Sequence, residues 1–340
     1  MIKTRHFIII FFLFIFSALF YSCSYTNEAK NISFYHWKAK ATYTEAYKEA
    51  LTLAESKKVY LHYFDLNLVD ENDSQNDGIY PVYLLREVDK AYYDFDIVPV
   101  VYITNHVFKD EIDIQGLAER TTLLINEISK KQFQKKLTTI QIDCDWTQRT
   151  KNAYFEFLKL MNNEFEVSTT IRLHQVKFQK QTGIPPVKSG TLMLYNIGDL
   201  KSRNENSILE NRIVQKYINS DTSYPLKLSL GLPLFSQTIV TNTSNKIKII
   251  KDTERDILEN DSHFKKVDKT NFSILKDTLY KGFYLSKGYN LKLEELSEKE
   301  IITSYKTIKN SRLNIDDIIF YHLDDNALNS LNLKKIINQL

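Results

Sequence analysis

The chain has 340 residues, with 45 Lys and Arg against 42 Asp and Glu, for a formal net charge of +3. Near-neutrality without a basic block excludes a nucleic-acid footprint, so no nucleic-acid partner is expected. Two cysteines are too few for a disulfide framework or a cysteine-based metal site, and no motif calls for a cofactor.

The first segment in chain order reads as an address. Lys3, Arg5 and His6 precede an apolar run at 7–21, and Ser22 and Cys23 follow. That run is shorter than the ~20 residues of a comfortable membrane span. A basic start, a short apolar stretch and a small residue before the break describe a cleaved export signal over 1–22. A cysteine placed directly after it resembles the lipobox of bacterial lipoproteins, which implies lipidation of Cys23, a polar tether over 23–31 and membrane attachment through lipid. Ser24, rather than an aspartate, favours the outer membrane. An uncleaved anchor helix is the alternative.

From residue 32 onward, β-rich runs alternate with helical patterns. The strands fall at 32–39, 58–67, 97–105, 138–146, 167–175, 190–198, 226–235 and 316–325. Helices are expected over 42–56, opened by a Thr42–Glu45 capping box, and over 113–132, 150–164, 205–220 and 297–309, from apolar residues at helical spacing. Residues 241–296 read as short strands and turns. Eight strands with intervening helices predict an α/β fold, a (β/α)8 TIM barrel over 32–340 with a small α+β insertion after the seventh strand. A doubly wound open sheet would show a Gly-rich phosphate turn after its first strand, and none follows Trp37.

Ligand sites of such barrels gather at the C-terminal ends of the strands. Here those ends carry His36, Trp37 and Lys38; His62, Tyr63 and Asp65; Asn105; Asp143, Asp145 and Trp146; Arg172, His174 and Gln175; Tyr195 and Asn196; Phe235; and His322, Asp324 and Asp325. Asp143 and Asp145 share a strand face, being two residues apart. Trp37 and Trp146 offer faces on which a sugar could stack.

Three fragments in order, "DCDW" at 143–146, "MLYN" at 193–196 and "GLPLF" at 231–235, resemble the family-eighteen glycoside hydrolases, the chitinase-like barrels. The insertion after the seventh strand sits where many of those proteins carry an α+β subdomain. The resemblance covers strands four to eight. The family's small-Gly-Gly element is missing from "YITNHVF". The resemblance implies an oligo- or polysaccharide partner, Asp145 as the group orienting an N-acetylated sugar, Asp143 as a supporting carboxylate, and Tyr195 and Asn196 beside the reacting ring. It also implies a catalytic glutamate after the tryptophan, where this chain has Thr147. The chain is similar as well to uncharacterised bacterial envelope proteins sharing the "IDCDWT" and "IRLHQ" stretches.

The expectation is therefore a lipid-anchored envelope protein with a glycan cleft that lacks its usual acid. Candidate catalytic residues are Asp143, Asp145, Tyr195 and Asp324. Trp37, Trp146, Arg172, His174, Asn196, Phe235 and His322 are candidate ligand contacts. Three alternatives stay open. An active hydrolase could pair Asp145 with Asp324 or Asp65, since glycosidases need two carboxyls about 5–9 Å apart. Carboxylates with His174 or His322 could hold a divalent metal. A scaffold would need no cleft, with Asp143 and Asp145 simply paired to Arg172.

Overall fold

The computed structural model describes residues 31–70, 75–251 and 253–340. The expected signal over 1–22, Cys23 and the tether up to residue 30 lie outside the described residues. No helix among the described residues is long and apolar enough to cross a membrane.

Eight parallel strands close into a barrel. They are β1 (Ile32–His36), β2 (Lys58–Leu68), β3 (Asp96–Ile103), β4 (Thr139–Asp143), β5 (Glu166–Arg172), β6 (Ser189–Met193), β7 (Lys227–Pro233) and β8 (Ile315–Tyr321). Each pairs with its neighbours in chain order, and β1 pairs with both β2 and β8. Closure leaves no strand edge in the barrel. The expected (β/α)8 barrel is the fold of this chain.

The helical layer is α1 (Glu45–Leu53), α2 (Ile114–Phe133), α3 (Lys151–Met161), the short α4 (Leu173–Lys177), α5 (Asn211–Tyr217) and α6 (Glu298–Lys309). Helix α2 shows why. Leu117, Thr121, Ile125 and Ile128 recur three or four residues apart and are buried, the stripe that packs a helix on a sheet. Asp113 caps its start by accepting from the Gly116 amide at 2.9 Å. Helix α1 begins later than the Thr42 box predicts. Its cap is Thr44, which accepts from the Tyr47 amide. The Thr42 carbonyl instead accepts from the Tyr92 hydroxyl at 3.0 Å, which keeps residue 42 in the connection. Among the described residues no α-helix separates β2 from β3; strand Ile79–Val82 and a 3-10 turn at Lys90–Asp94 lie in that place.

Alternate residues line the barrel interior. The Tyr35 hydroxyl donates to Gln141 at 2.6 Å and Gln141 donates to Thr191 at 2.9 Å, all three buried. Gly231 lies opposite Tyr195. A Cβ there would stand 3.2 Å from the tyrosine ring, so the glycine is what admits it.

After β7, strands Gln237–Thr241, Ile247–Lys251, Asn290–Glu294, Asn271–Ile274 and Phe264–Lys266 form an antiparallel sheet. Val240, Ile250, Phe272, Leu291 and Leu293 give this insertion its own apolar core. Its other face turns to the loop after β6, through Gln237 and Lys292.

Candidate functional site

The mouth is assembled by strand alternation and by one break in it. Along β2 the register to β3 shifts between His62 and Phe64. A bulge inserts one residue and resets which face the following side chains take. Tyr63 leaves the interior and meets Ser129 of α2 at 3.2 Å. Asp65, which plain alternation would place opposite His62, comes to the same side. His62 Nε2 and Asp65 Oδ1 stand 2.6 Å apart, and Asp65 lies in register with Tyr102. Neither the bulge nor Tyr102 was legible in the sequence, because a bulge residue has no compositional mark in a run of apolar and aromatic residues.

On β4 the two carboxylates follow alternation and then part company electrostatically. Asp143 is buried and accepts from the Thr170 hydroxyl at 2.6 Å. Burial, and then the charge of Asp145, push its pKa up to about 6, against the pull of Arg172. Two carboxylates held this close resist ionising together. Asp145 is more open, its side chain 42% exposed. Arg172 grips it with both oxygens engaged, Nε to Oδ1 at 2.5 Å and Nη2 to Oδ2 at 3.0 Å. The guanidinium also donates to the Tyr195 carbonyl at 3.2 Å. Burial opposes the arginine's charge, but its bond to Asp145 outweighs that and raises its pKa. His174, exposed on the first turn of α4, is near enough to feel both charges.

Beside this pair lies an aromatic floor. Tyr321, the last residue of β8, stacks on Tyr195 at 4.5 Å and 15° and meets Trp37 at 5.6 Å and Phe235 at 5.7 Å. Trp37, half-buried, lies over the His62 ring at 4.7 Å. Asn196 is exposed next to Tyr195, in the left-handed region at φ 54°. Tyr321 was missed from the sequence. The signal was available: counting in twos along β8 from Asp317 through Ile319 puts Tyr321, not His322, on the interior face.

Three placements, of Trp146, Asp324 and His322, correct the expectations. Trp146 is fully buried and offers no face to a sugar. It follows Asp145, so alternation turns it to the helix layer. There it stacks on Tyr154 of α3 at 5.4 Å and donates to the Thr182 carbonyl at 3.0 Å. Asp324 does not join Asp145. It is buried as the cap of helix Asp325–Ser330, accepting from the Ala327 amide at 3.0 Å. Its charge acts on Tyr47 of α1, whose pKa burial already raises. His322 is buried with its ring edge against Tyr321. Thr147 is exposed, and its hydroxyl lies 3.3 Å from that of Thr150. Thr150 in turn donates to Asn105 at 2.5 Å.

Among the described residues, no three His, Cys, Asp or Glu side chains are grouped to hold a metal ion. A cavity of about 760 Å³ adjoins the floor. Asn196, Phe235 and Tyr321 line it from the barrel, and Ile249, Lys251 and Phe283 from the insertion, while Asp143, Asp145 and Arg172 do not.

No protein-family model matches the chain, and no curated protein matches it in sequence. Solved structures do. The chain is similar to the C-terminal domain of a putative chitinase from Desulfitobacterium hafniense, with 13% identity, a TM-score of 0.53, and 92% of this chain and 99% of that one covered. It is similar also to the spore cortex-lytic enzyme SleL of Bacillus cereus, with 10% identity, a TM-score of 0.48, and 91% and 74% covered. A chitinase from Bacteroides thetaiotaomicron matches with 10% identity, a TM-score of 0.47, and 91% and 96% covered. At such identities the first likeness establishes a shared barrel and leaves activity to the site itself.

Proposed function

We propose that the protein is a glycan-binding barrel of the chitinase-like kind, held at the bacterial envelope by a lipid on Cys23, and that it binds an oligosaccharide without cleaving it. One observation carries the reading. The only mouth carboxylate with substantial exposure at the end of β4, Asp145, is held by Arg172 through both oxygens, and a threonine stands where an acid would protonate the glycosidic oxygen. A threonine hydroxyl does not serve as a general acid near neutral pH. Trp37, half-buried, remains as a face on which a sugar ring can stack, with the buried rings of Tyr321, Tyr195 and Phe235 packed beneath and beside it.

The test is binding and hydrolysis measured together on N-acetylated oligosaccharides. Wild type should bind and leave them intact, and Thr147→Glu should give a trace of turnover. Robust hydrolysis by wild type overturns the reading. It would point to the second one, in which Asp65, brought inward by the bulge, works with the protonatable Asp143; Asp65→Asn would then abolish turnover. The anchor is tested separately. Cys23→Ser should leave an unprocessed precursor that no fatty-acid probe labels, and normal labelling would remove the lipid from the proposal.

A further inference from the structure

The insertion sheet shows the mouth a face with its own chemistry. Its register pairs Gln237 with Lys251, Ile239 with Ile249 and Thr241 with Ile247. These residues share one face, opposite the Val240 and Ile250 side chains of the insertion core. The 760 Å³ cavity lies along that face, and a second cavity of about 250 Å³ continues it, Leu200 lining both.

The charges along this path are of one sign. Lys251 and Lys281 line the larger cavity, and Lys201, Arg203 and Lys292 the smaller. No described residue lining either one is an aspartate or glutamate. The carboxylates near this path are themselves engaged, two of them by cations that line it. Glu254 pairs with Lys281 at 2.9 Å and Glu294 with Lys292 at 2.7 Å. Glu205 pairs with Arg212 at 3.2 Å, and Asp199 accepts from the Lys201 amide at 2.9 Å. Lys251, Lys201 and Arg203 are exposed. This bias is local, since the whole chain carries only +3. Asp143 and Asp145 line neither cavity.

We infer that these two cavities receive an anionic substituent, a carboxylate or sulfate carried on a sugar ring, of a glycan whose neighbouring rings lie on the aromatic floor. The inference rests on the glycan reading above and narrows it to acidic glycans. The cations supply the affinity for the charge, while the aromatic floor is indifferent to it.

The experiment is calorimetric titration of the intact protein with three oligosaccharides of equal length. One is a neutral N-acetylglucosamine oligomer, one alternates N-acetylglucosamine with glucuronate, and one is the sulfated form of the neutral chain. At low salt an acidic oligomer should bind about tenfold or more tighter than the neutral one, the scale of one charge-assisted hydrogen bond. That ratio should shrink as salt rises. Whichever acidic oligomer shows the preference identifies the substituent. In Lys201→Gln/Arg203→Gln/Lys251→Gln, with an unchanged melting curve, the ratio should collapse toward one. Equal wild-type affinity for all three, or a triple variant that keeps the full preference, overturns this inference and leaves the glycan reading standing. Failure of wild type to bind any of the three overturns both.

Discussion

Asp143 and His36 are buried titratable groups with opposite effects on the fold. Burial, then Asp145, lifts Asp143 from 3.8 to about 6. Between those values the folded carboxyl keeps a proton that the unfolded chain has released. Stability therefore falls as pH rises through that window and stays lower above it. His36 packs edge-on between Tyr47 and Tyr92 and is pushed from 6.5 down to about 4, by burial first and then by Lys38. From pH 4 to 6.5 the unfolded chain holds the extra proton, so this contribution rises with pH. The two slopes oppose each other over nearly the same range. Asp143→Asn removes one of them. Its stability relative to wild type should grow by about 3 kcal/mol between pH 4 and pH 7, at 1.36 kcal/mol per unit of pKa. Denaturant titrations across that range read it. A difference that does not change with pH would mean that Asp143 ionises as an ordinary carboxyl.

At the scale of elements, period two decided what the sequence could and could not reveal. The eight strands and the long helices were legible because apolar runs and helical spacing persist over many residues. The facing of single residues was legible only where alternation holds. It holds along β4 and carries on past its last residue, Asp143, so Asp145 turns to Arg172 at the mouth and Trp146 to the helix layer. It fails along β2, where the bulge at Tyr63 brings Asp65 inward. Asp324 was misplaced for another reason: it caps helix Asp325–Ser330, and that helix, not the sheet, sets its position. The two tryptophans therefore make a matched pair of tests. Trp146→Ala should destabilise by about 3–5 kcal/mol, the cost of emptying a large buried aromatic site, with no direct effect on ligand contacts. Trp37→Ala should cost much less stability and weaken oligosaccharide binding. Urea unfolding and calorimetry on the two variants check this. A Trp37 variant that loses stability like the Trp146 variant and binds normally would remove Trp37 from the floor.

In the whole molecule, two apolar cores are joined by a buried polar clamp, and this decides whether the cleft wall is fixed. Glu294, 3% exposed, accepts from the Ser207 amide at 2.9 Å, the Ser207 hydroxyl at 2.5 Å and Gln237 at 2.8 Å, and pairs with Lys292 at 2.7 Å. Lys292 also donates to the carbonyls of Ser202 and Glu205 at 2.6 and 3.0 Å. Ser202, Glu205 and Ser207 belong to the loop after β6, while Gln237 and Lys292 stand with Glu294 on the insertion sheet, so the set ties the one to the other. A buried ion pair contributes little net stability, but removing one member strands the other away from water. Wild type should therefore unfold in a single calorimetric transition, with insertion and barrel melting together. Glu294→Ala should cost about 3–5 kcal/mol and uncouple the two, the insertion unfolding first and becoming cut by protease within 237–294 while the barrel persists. Replacing both charges, Lys292→Met with Glu294→Leu, should recover much of the stability, because no buried charge is then left unpaired. If Glu294→Ala instead melts as one unit near the wild-type temperature, the clamp does not hold the wall. The cleft would then owe its shape to the apolar contacts on either side of Leu200.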